Sequence, residues 1–407
     1  MGEWKKRQGY RTFSAMLCML VGIGLVRYSY SPLLPSMLDH HWLNPGQAGY
    51  LGTVNFIGNL LGALVCAPLA RWLGAVRICR VALLLGLISV AASAWDLGFW
   101  WLVGTRSLAG LTAAGTMILA PIIAASGVEN ARRGRVIGIV FAGAGLGVIG
   151  LSFSLPLFLV NGPSGGWLFT AALVLVCTAL AWRGLVEPAD ESSSPTSPQA
   201  TGRSPLSLWI LGLAYTLAAV GIVPHSIYLS AYVHQVLGEP VSFATMVFGV
   251  YGLGVLLGGP LLDGQLTGRL GTWLALLVST AVGLVAVAVV LSTENVAWVV
   301  ASGGLLGMSQ MGVASITAHR VLEIAGPAYH TRWWARVTVG FNIGQAGGAL
   351  GMGAMLHAGW SYATGFWMAA GSFTVSILLA MLVQPPRRGS HKPNETYNGH
   401  RKNEPPS

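Results

Sequence analysis

The sequence predicts an all-α polytopic membrane protein, with twelve transmembrane helices forming two pseudo-symmetric six-helix bundles. Three observations carry that prediction. Of 407 residues, 54% are apolar and only 9% are charged, whereas soluble chains carry about 25% charged residues. The charges fall in short clusters between apolar runs that match the roughly 20 residues a helix needs to cross a hydrocarbon core of about 30 Å. Features of the first half also return in the second: Gly58 and Gly62 at Gly254 and Gly258, Phe141 and Gly147 at Phe341 and Gly347, and Pro32 at Pro224.

Taken in order, the first span, 12–36, follows Lys5-Lys6-Arg7 and Arg11 and ends among Pro32 and Pro35. Its apolar run continues past Arg27 with no small-residue cleavage site, so it reads as a retained helix and not as a signal peptide. The polar turn Asn44-Pro45-Gly46 opens span 2, 47–70, and a basic turn around Gly74 leads to span 3, 77–95. Span 4, 98–123, holds Arg106. Arg132, Arg133 and Arg135 precede span 5, 136–160, and span 6 covers 167–184. The Ser- and Pro-rich stretch 185–205 has too little apolar surface to fold and reads as a cytoplasmic linker. Six further spans follow at 206–233, 241–263, 272–291, 295–318, 333–357 and 361–383. The expected domains are therefore an N-terminal bundle over 1–184, a C-terminal bundle over 206–384 and a disordered, basic cytoplasmic tail over 385–407.

Orientation follows from the basic residues. With the N-terminus inside, all of the 23 Lys and Arg except Arg27 and Arg106 fall in or beside cytoplasmic segments, as membrane topology requires. Both termini are thus expected in the cytoplasm, with the chain a multi-pass protein of the bacterial inner membrane. The net charge of +10 serves topology and contact with anionic lipid headgroups. It is not gathered on one face, as nucleic-acid binding would need. The four cysteines lie inside apolar runs, so no disulfide framework is indicated.

The internal repeat narrows the function. Glycines at small-xxx-small spacing let helices pack closely and are a structural signal first. Their repetition in two halves fits two similar bundles around a central cleft, the plan of many secondary transporters.

Ionisable groups inside the bilayer are costly, by about 2.5–3.5 kcal/mol even on the lenient scale. Three stand out: Arg27 in span 1, Arg106 in span 4 and His225 in span 7, all placed in the outer half of the membrane. None of the 13 carboxylates falls in the middle of a span. Either main-chain and side-chain oxygens solvate the two arginines, or an anion from outside does; a guanidinium's planar fork suits carboxylate or phosphate. Around them, Tyr28 and Tyr30 flank Arg27, with Tyr30 one helical step from it on nearly the same face. Asn55, Asn59, Tyr228, Asn342 and Gln345 are the remaining candidates for a binding surface, and interhelical hydrogen bonding is the alternative for each amide. His225 is either a proton relay or a packed neutral histidine. Asp39-His40-His41 reads as a solvated outer loop more readily than as a metal site, so neither metal nor cofactor is expected.

These residues resemble the major facilitator superfamily over all twelve spans. In span 4, Leu102, Arg106, Gly110, Ala113 and Ala114 are similar to a superfamily motif whose arginine is associated with proton coupling. The hallmark loop between spans 2 and 3 keeps Arg71, Gly74 and Arg77 but lacks its aspartate, and its counterpart keeps Arg269 and Gly271 with Gly268 in the acidic position. More closely, Gly22-Ile23-Gly24, Arg27-Tyr28-Ser29-Tyr30-Ser31-Pro32-Leu33-Leu34-Pro35, Gln47-Ala48-Gly49-Tyr50-Leu51, Val223-Pro224-His225 and Phe341-Asn342-Ile343-Gly344-Gln345-Ala346 resemble the YbfB/YjiJ-type subfamily.

The resemblance implies the major facilitator fold and a secondary active transporter of a small organic solute, working by alternating access. Arg27, Tyr28, Tyr30, Asn55, His225, Tyr228, Asn342 and Gln345 are the expected substrate-binding residues, Arg106 and His225 the coupling residues, and Arg71, Gly74, Arg77, Arg269 and Gly271 the conformational loops. The expected substrate is an anion, the expected partners are protons and the lipid bilayer, and the chain reads as a monomer. Two other readings remain, a non-transporting sensor of a small ligand and a multidrug-type exporter; Val148, where drug antiporters place a proline, argues against the second. The spans hold no nucleophile–base pair or metal cluster that would make an enzyme.

Overall fold

A computed structural model describes residues 2–188 and 205–383. The described chain is helical throughout, and no strand occurs among the described residues. Most of the expected linker and all of the tail over 385–407 lie outside the described residues.

The first rod is composite. Helix α1 (Gly2–Met19) runs into a π-helical segment, Leu20–Arg27, and after a turn at Tyr28 and Ser29 the chain resumes as α2 (Tyr30–Asp39). The Tyr28 amide reaches back five residues to the Ile23 carbonyl, at 3.1 Å. The regular helix expected over 12–36 is thus corrected to a widened, broken one. Proline at 32 brings no N–H to a ladder that would cross the break, and π-helical turns of this kind concentrate at functional sites.

The remaining helices are α3 (Pro45–Leu73), α4 (Ala75–Ala92), α5 (Phe99–Ala125), α6 (Asn130–Ser154), α7 (Gly162–Trp182), α8 (Pro205–Gln235), α9 (Val241–Gly258), α10 (Thr267–Ser292), α11 (Val296–Ala325), α12 (Pro327–His357) and α13 (Tyr362–Leu382). Among the described residues, ten stretches are long and apolar enough to cross a membrane. One of them, Val241–Ser292, joins α9 to α10 and breaks at Gly271, where φ is 75° and ψ 162°. Helix α12 is 31 residues long but carries Arg332 and Arg336 and does not qualify by composition.

Local chemistry sets these boundaries. The expected turn before span 2 is a capping box: Asn44 Oδ1 accepts from the Gln47 amide at 2.9 Å, and Gln47 Oε1 accepts from the Asn44 amide at 2.9 Å, with Pro45 in the first turn. Gly74, at φ 90°, ends α3 and starts α4, a conformation that side-chain-bearing residues avoid.

The repeated glycines do the same work in each half. A β-carbon on Gly62 would stand 2.9 Å from that of Ala114, and one on Gly258 would stand 2.9 Å from that of Met311. The absence of side chains therefore lets α3 close on α5 and α9 close on α11. Between the halves, α3 packs on α12, α6 on α9, and α2 on both α8 and α9. Val148 of α6 sits against Gly252 of α9, so the valine is a packing knob of that seam.

Hydrogen bonds across the halves run from the level of Arg27 towards Asp39. Ser31 Oγ donates to the Ser226 carbonyl at 2.5 Å, Thr245 Oγ1 to the Pro32 carbonyl at 3.0 Å, and the Tyr228 hydroxyl to the Pro45 carbonyl at 3.0 Å. Asp39 pairs with His234 beyond them. The halves are sealed at the end remote from the arginine-rich turns.

Candidate functional site

Arg27 ends the π-helical segment, which turns its partly buried side chain towards the second half. Its Nη2 donates to Gln345 Oε1 of α12 at 2.8 Å. The guanidinium carbon lies 5.2 Å from the Phe56 ring centre and 5.6 Å from that of Tyr28, within cation–π range. Among the described residues no carboxylate pairs with it. Two buried donors are left over: Arg27 Nε and Gln345 Nε2 have no hydrogen-bond partner. Other buried donors, Arg80 Nε and Arg106 Nε among them, also lack a partner; these two belong to residues that meet across the halves.

Tyr28 reaches the second half as well. Its hydroxyl accepts from Gln310 Nε2 of α11 at 2.8 Å, and Gln310 Oε1 in turn accepts from the Tyr251 hydroxyl. The rings of Phe248 and Tyr251 stack at 4.7 Å, and each lies 6.0 Å from the Tyr28 ring. The result is a guanidinium beside an aromatic wall of Tyr28, Phe56, Phe248 and Tyr251. Sequence reasoning missed Phe56, Phe248, Tyr251 and Gln310. Gln310 carried a usable signal, an amide within an apolar span like Asn342; the aromatics carried none that distinguished them from packing residues.

Arg106 lies in a different setting. It is 1% exposed and enclosed by the first half. Nη1 donates to the Val26 carbonyl at 3.3 Å, Nη2 donates to Ser93 Oγ at 3.0 Å, and the guanidinium carbon lies 4.6 Å from the Trp167 ring centre. Asn55 Nδ2 donates to the Arg106 carbonyl at 3.0 Å, tying α3 to α5. The break after Arg27 leaves the Val26 carbonyl without a regular helical partner, and Arg106 supplies a donor. The two arginines are therefore linked through one residue of main chain.

The other expected residues disperse. Tyr30 lies past the helix break, so the one-step relation to Arg27 does not hold, and its hydroxyl donates to the Ala48 carbonyl at 3.1 Å. His225 is fully buried, with Nε2 3.1 Å from Ser302 Oγ and its ring edge-on to Phe366 at 5.2 Å. Tyr228 joins the seal described above. Asn342 Nδ2 donates to the Thr338 carbonyl of its own helix at 2.9 Å. Of the eight residues expected to bind substrate, the structure brings Arg27, Tyr28 and Gln345 together.

At the conformational loops, Arg71, Arg77 and Arg269 are exposed. The aspartate missing from the first loop has a substitute from elsewhere: Glu187 accepts from the Ala75 and Val76 amides at 2.5 and 3.1 Å, at the start of α4. In the second loop, Glu323 accepts from Thr272 Oγ1 at 2.6 Å and from Arg320 Nη1 at 2.7 Å. Glu187 sits where α4 begins and the helix dipole favours negative charge, whereas Glu323 lies in the last turn of α11 and is held by side chains.

The two-half helical membrane architecture and the family that the chain matches define the class, a multi-pass membrane transporter. A family profile described as "Uncharacterised MFS-type transporter YbfB" matches residues 19–381, and the chain belongs to that family. It is 24% identical over 375 residues to a "Putative metabolite transport protein" of Haemophilus influenzae, covering 85% of this chain and 89% of the relative. It is 28% identical over 115 residues to the niacin transporter NiaP of Acinetobacter baylyi, covering 28% of this chain and 26% of that one. In fold, it is similar to a point mutant of the nucleoside transporter NupG, with a TM-score of 0.74 and 14% identity, covering 91% of this chain and 99% of NupG. A bacterial homologue of the human lysosomal transporter Spinster, inward-facing and occupied, gives a TM-score of 0.69 and 17% identity, covering 92% and 96%.

Proposed function

We propose that the protein moves a small organic anion across the bacterial inner membrane by alternating access between two six-helix bundles, coupled to protons. One observation carries the reading: Arg27 and Gln345, from opposite halves, meet with no acid between them and keep two buried donors unspent. A carboxylate placed there would accept from both, joining the halves through the ligand. The aromatic wall beside it suits a planar ring attached to that carboxylate, and niacin, which names one relative, is itself a heteroaromatic carboxylic acid. With both termini in the cytoplasm, the sealed end is the outer one, so this conformation faces inward. Arg106 serves coupling by holding the broken helix that presents Arg27, and the chain works as a monomer.

The test is a panel of organic anions and cations, nicotinate among the anions, screened for thermal stabilisation of the purified protein. Anions are expected to stabilise the wild type and to lose that effect in Arg27→Gln. Counterflow of a labelled hit in proteoliposomes then distinguishes transport from mere binding. Stabilisation by cations alone, or by anions equally in Arg27→Gln, would overturn the reading.

A further inference from the structure

A second charged site lies at the basic end of the first half, away from Arg27. Helices α3 and α4 diverge from Gly74 over the last turns of α5, leaving a cavity of about 1310 Å³. Arg71, Arg77, Arg80 and Arg133 line it, and among the described residues Glu187 is the one carboxylate in its lining. That carboxylate is committed to the Ala75 and Val76 amides. Arg80 is committed too: its Nη2 donates to the Trp182 and Leu185 carbonyls at 2.9 and 3.3 Å, and its guanidinium carbon lies 4.9 Å from the Trp182 ring centre. Arg71 and Arg77 are exposed, and among the described residues neither forms an ion pair.

The rest of the lining has the opposite character. Val81, Leu84 and Ile122 face the cavity yet remain 45%, 43% and 50% exposed, so its aliphatic wall runs out onto the surface that meets hydrocarbon. A soluble anion would use the arginines and leave this wall bare. A ligand with an anionic head and a hydrocarbon tail uses both, and basic pockets between membrane helices suit such headgroups. We infer that this cavity binds the phosphate headgroup of an anionic phospholipid from the leaflet at the basic end, with Arg71 and Arg77 on the phosphate and an acyl chain along Val81, Leu84 and Ile122. The site depends on the membrane orientation proposed above only for naming that leaflet as the inner one. A lipid held there wedges α3 and α4 apart on either side of the Gly74 turn.

The test is native mass spectrometry of the purified full chain titrated with phosphatidylglycerol or chain-matched phosphatidylcholine, with inorganic phosphate as competitor. Phosphatidylglycerol is expected to be retained preferentially. The double variant Arg71→Gln/Arg77→Gln should weaken it by roughly 25-fold, about fivefold per arginine, while Arg332→Gln at the basic end of the second half should leave it unchanged. Leu84→Trp, which fills the aliphatic wall without altering charge, should also weaken it. Equal retention of the two lipids, or retention undiminished in both cavity variants, overturns the assignment. Displacement by millimolar phosphate that spares no lipid preference gives the site to a soluble phosphate and overturns the lipid source. The organic-anion panel on the same double variant keeps the two proposals apart, since stabilisation through Arg27 should survive there.

Discussion

His234 at the end of α8 holds Asp39 at the end of α2, with Nε2 2.9 and 3.0 Å from the two carboxylate oxygens, while its Nδ1 lies 2.7 Å from the Glu239 carbonyl. Both ring nitrogens therefore lie against oxygens. The neighbouring His40 is turned away, its Nδ1 on the Ser36 carbonyl at 2.9 Å. The His234–Asp39 pair ties α2 of one half to α8 of the other at the sealed end.

Asp39→Ala, which removes the carboxylate from this contact, should open the sealed end more often. The pair is partly exposed, at 20% for His234 and 42% for Asp39, so it is worth about 0.2–1 kcal/mol, or up to roughly fivefold in the opening equilibrium. Distances between spin labels at the ends of α2 and α8 measure it. An unchanged distance distribution in Asp39→Ala would show that the pair does not hold the seal.

Arg27→Lys discriminates between charge and geometry at the seam. Lysine keeps the charge but lacks the planar fork that reaches Gln345 Oε1 and leaves Nε available. The variant should fold with a melting temperature near that of the wild type, because the removed hydrogen bond is single and Arg27 is only partly buried. Its affinity for an anionic ligand should fall by about tenfold or more, the effect of losing one charge-assisted hydrogen bond of about 1.5–3 kcal/mol. Calorimetric titration with the strongest stabilising anion measures this, and unchanged affinity would remove the fork from the binding argument.

How far the sequence carries can be traced residue by residue. The glycine pairs 58/62 and 254/258 announced their packing role because close approach of helices leaves a compositional mark, and α3 on α5 and α9 on α11 follow it. Arg27 and Gln345 were both visible as costly polar groups within apolar runs; their meeting, 318 residues apart, depends on how the halves dock. Tyr30 was misplaced because the spacing rule assumes a regular helix, and the ladder breaks at Tyr28 and Ser29, between it and Arg27. Asp39 and His234 sit at the ends of two spans, where composition is polar in any case and gives no hint of pairing.

Arg106→Ala should be destabilising whatever the substrate. The side chain is 1% exposed, and its removal takes a charged donor from the Val26 carbonyl, which keeps only Ser29 Oγ at 3.4 Å, and from the Ser93 hydroxyl, and opens a void beside the Trp167 ring. A loss on the order of 2–4 kcal/mol is expected from these buried partners. Arg106→Lys should recover part of it, since an ammonium can still reach one oxygen. Thermal unfolding in detergent followed by fluorescence-detected size exclusion gives the ranking, wild type above lysine above alanine; alanine equal to wild type would mean that the helix break at Tyr28 holds without Arg106.

Gly353 offers a way to move the conformational equilibrium without touching charge. A β-carbon there would stand 2.9 Å from the Gly46 carbonyl oxygen and 3.0 Å from the Gly49 α-carbon, both main-chain atoms of α3 that cannot swing aside. Gly353→Val therefore cannot fit within the sealed seam, but the clash disappears once α12 and α3 separate at that end. The strain falls between the halves, so it should push the equilibrium towards an open outer end and leave each half folded. A cysteine at Ala349, fully buried beside Gly52 of α3 when the seam is closed, should then react faster with an impermeant maleimide in the valine variant than in the wild-type background. Equal labelling rates in well-folded protein would show that the seam yields locally instead of opening as a unit.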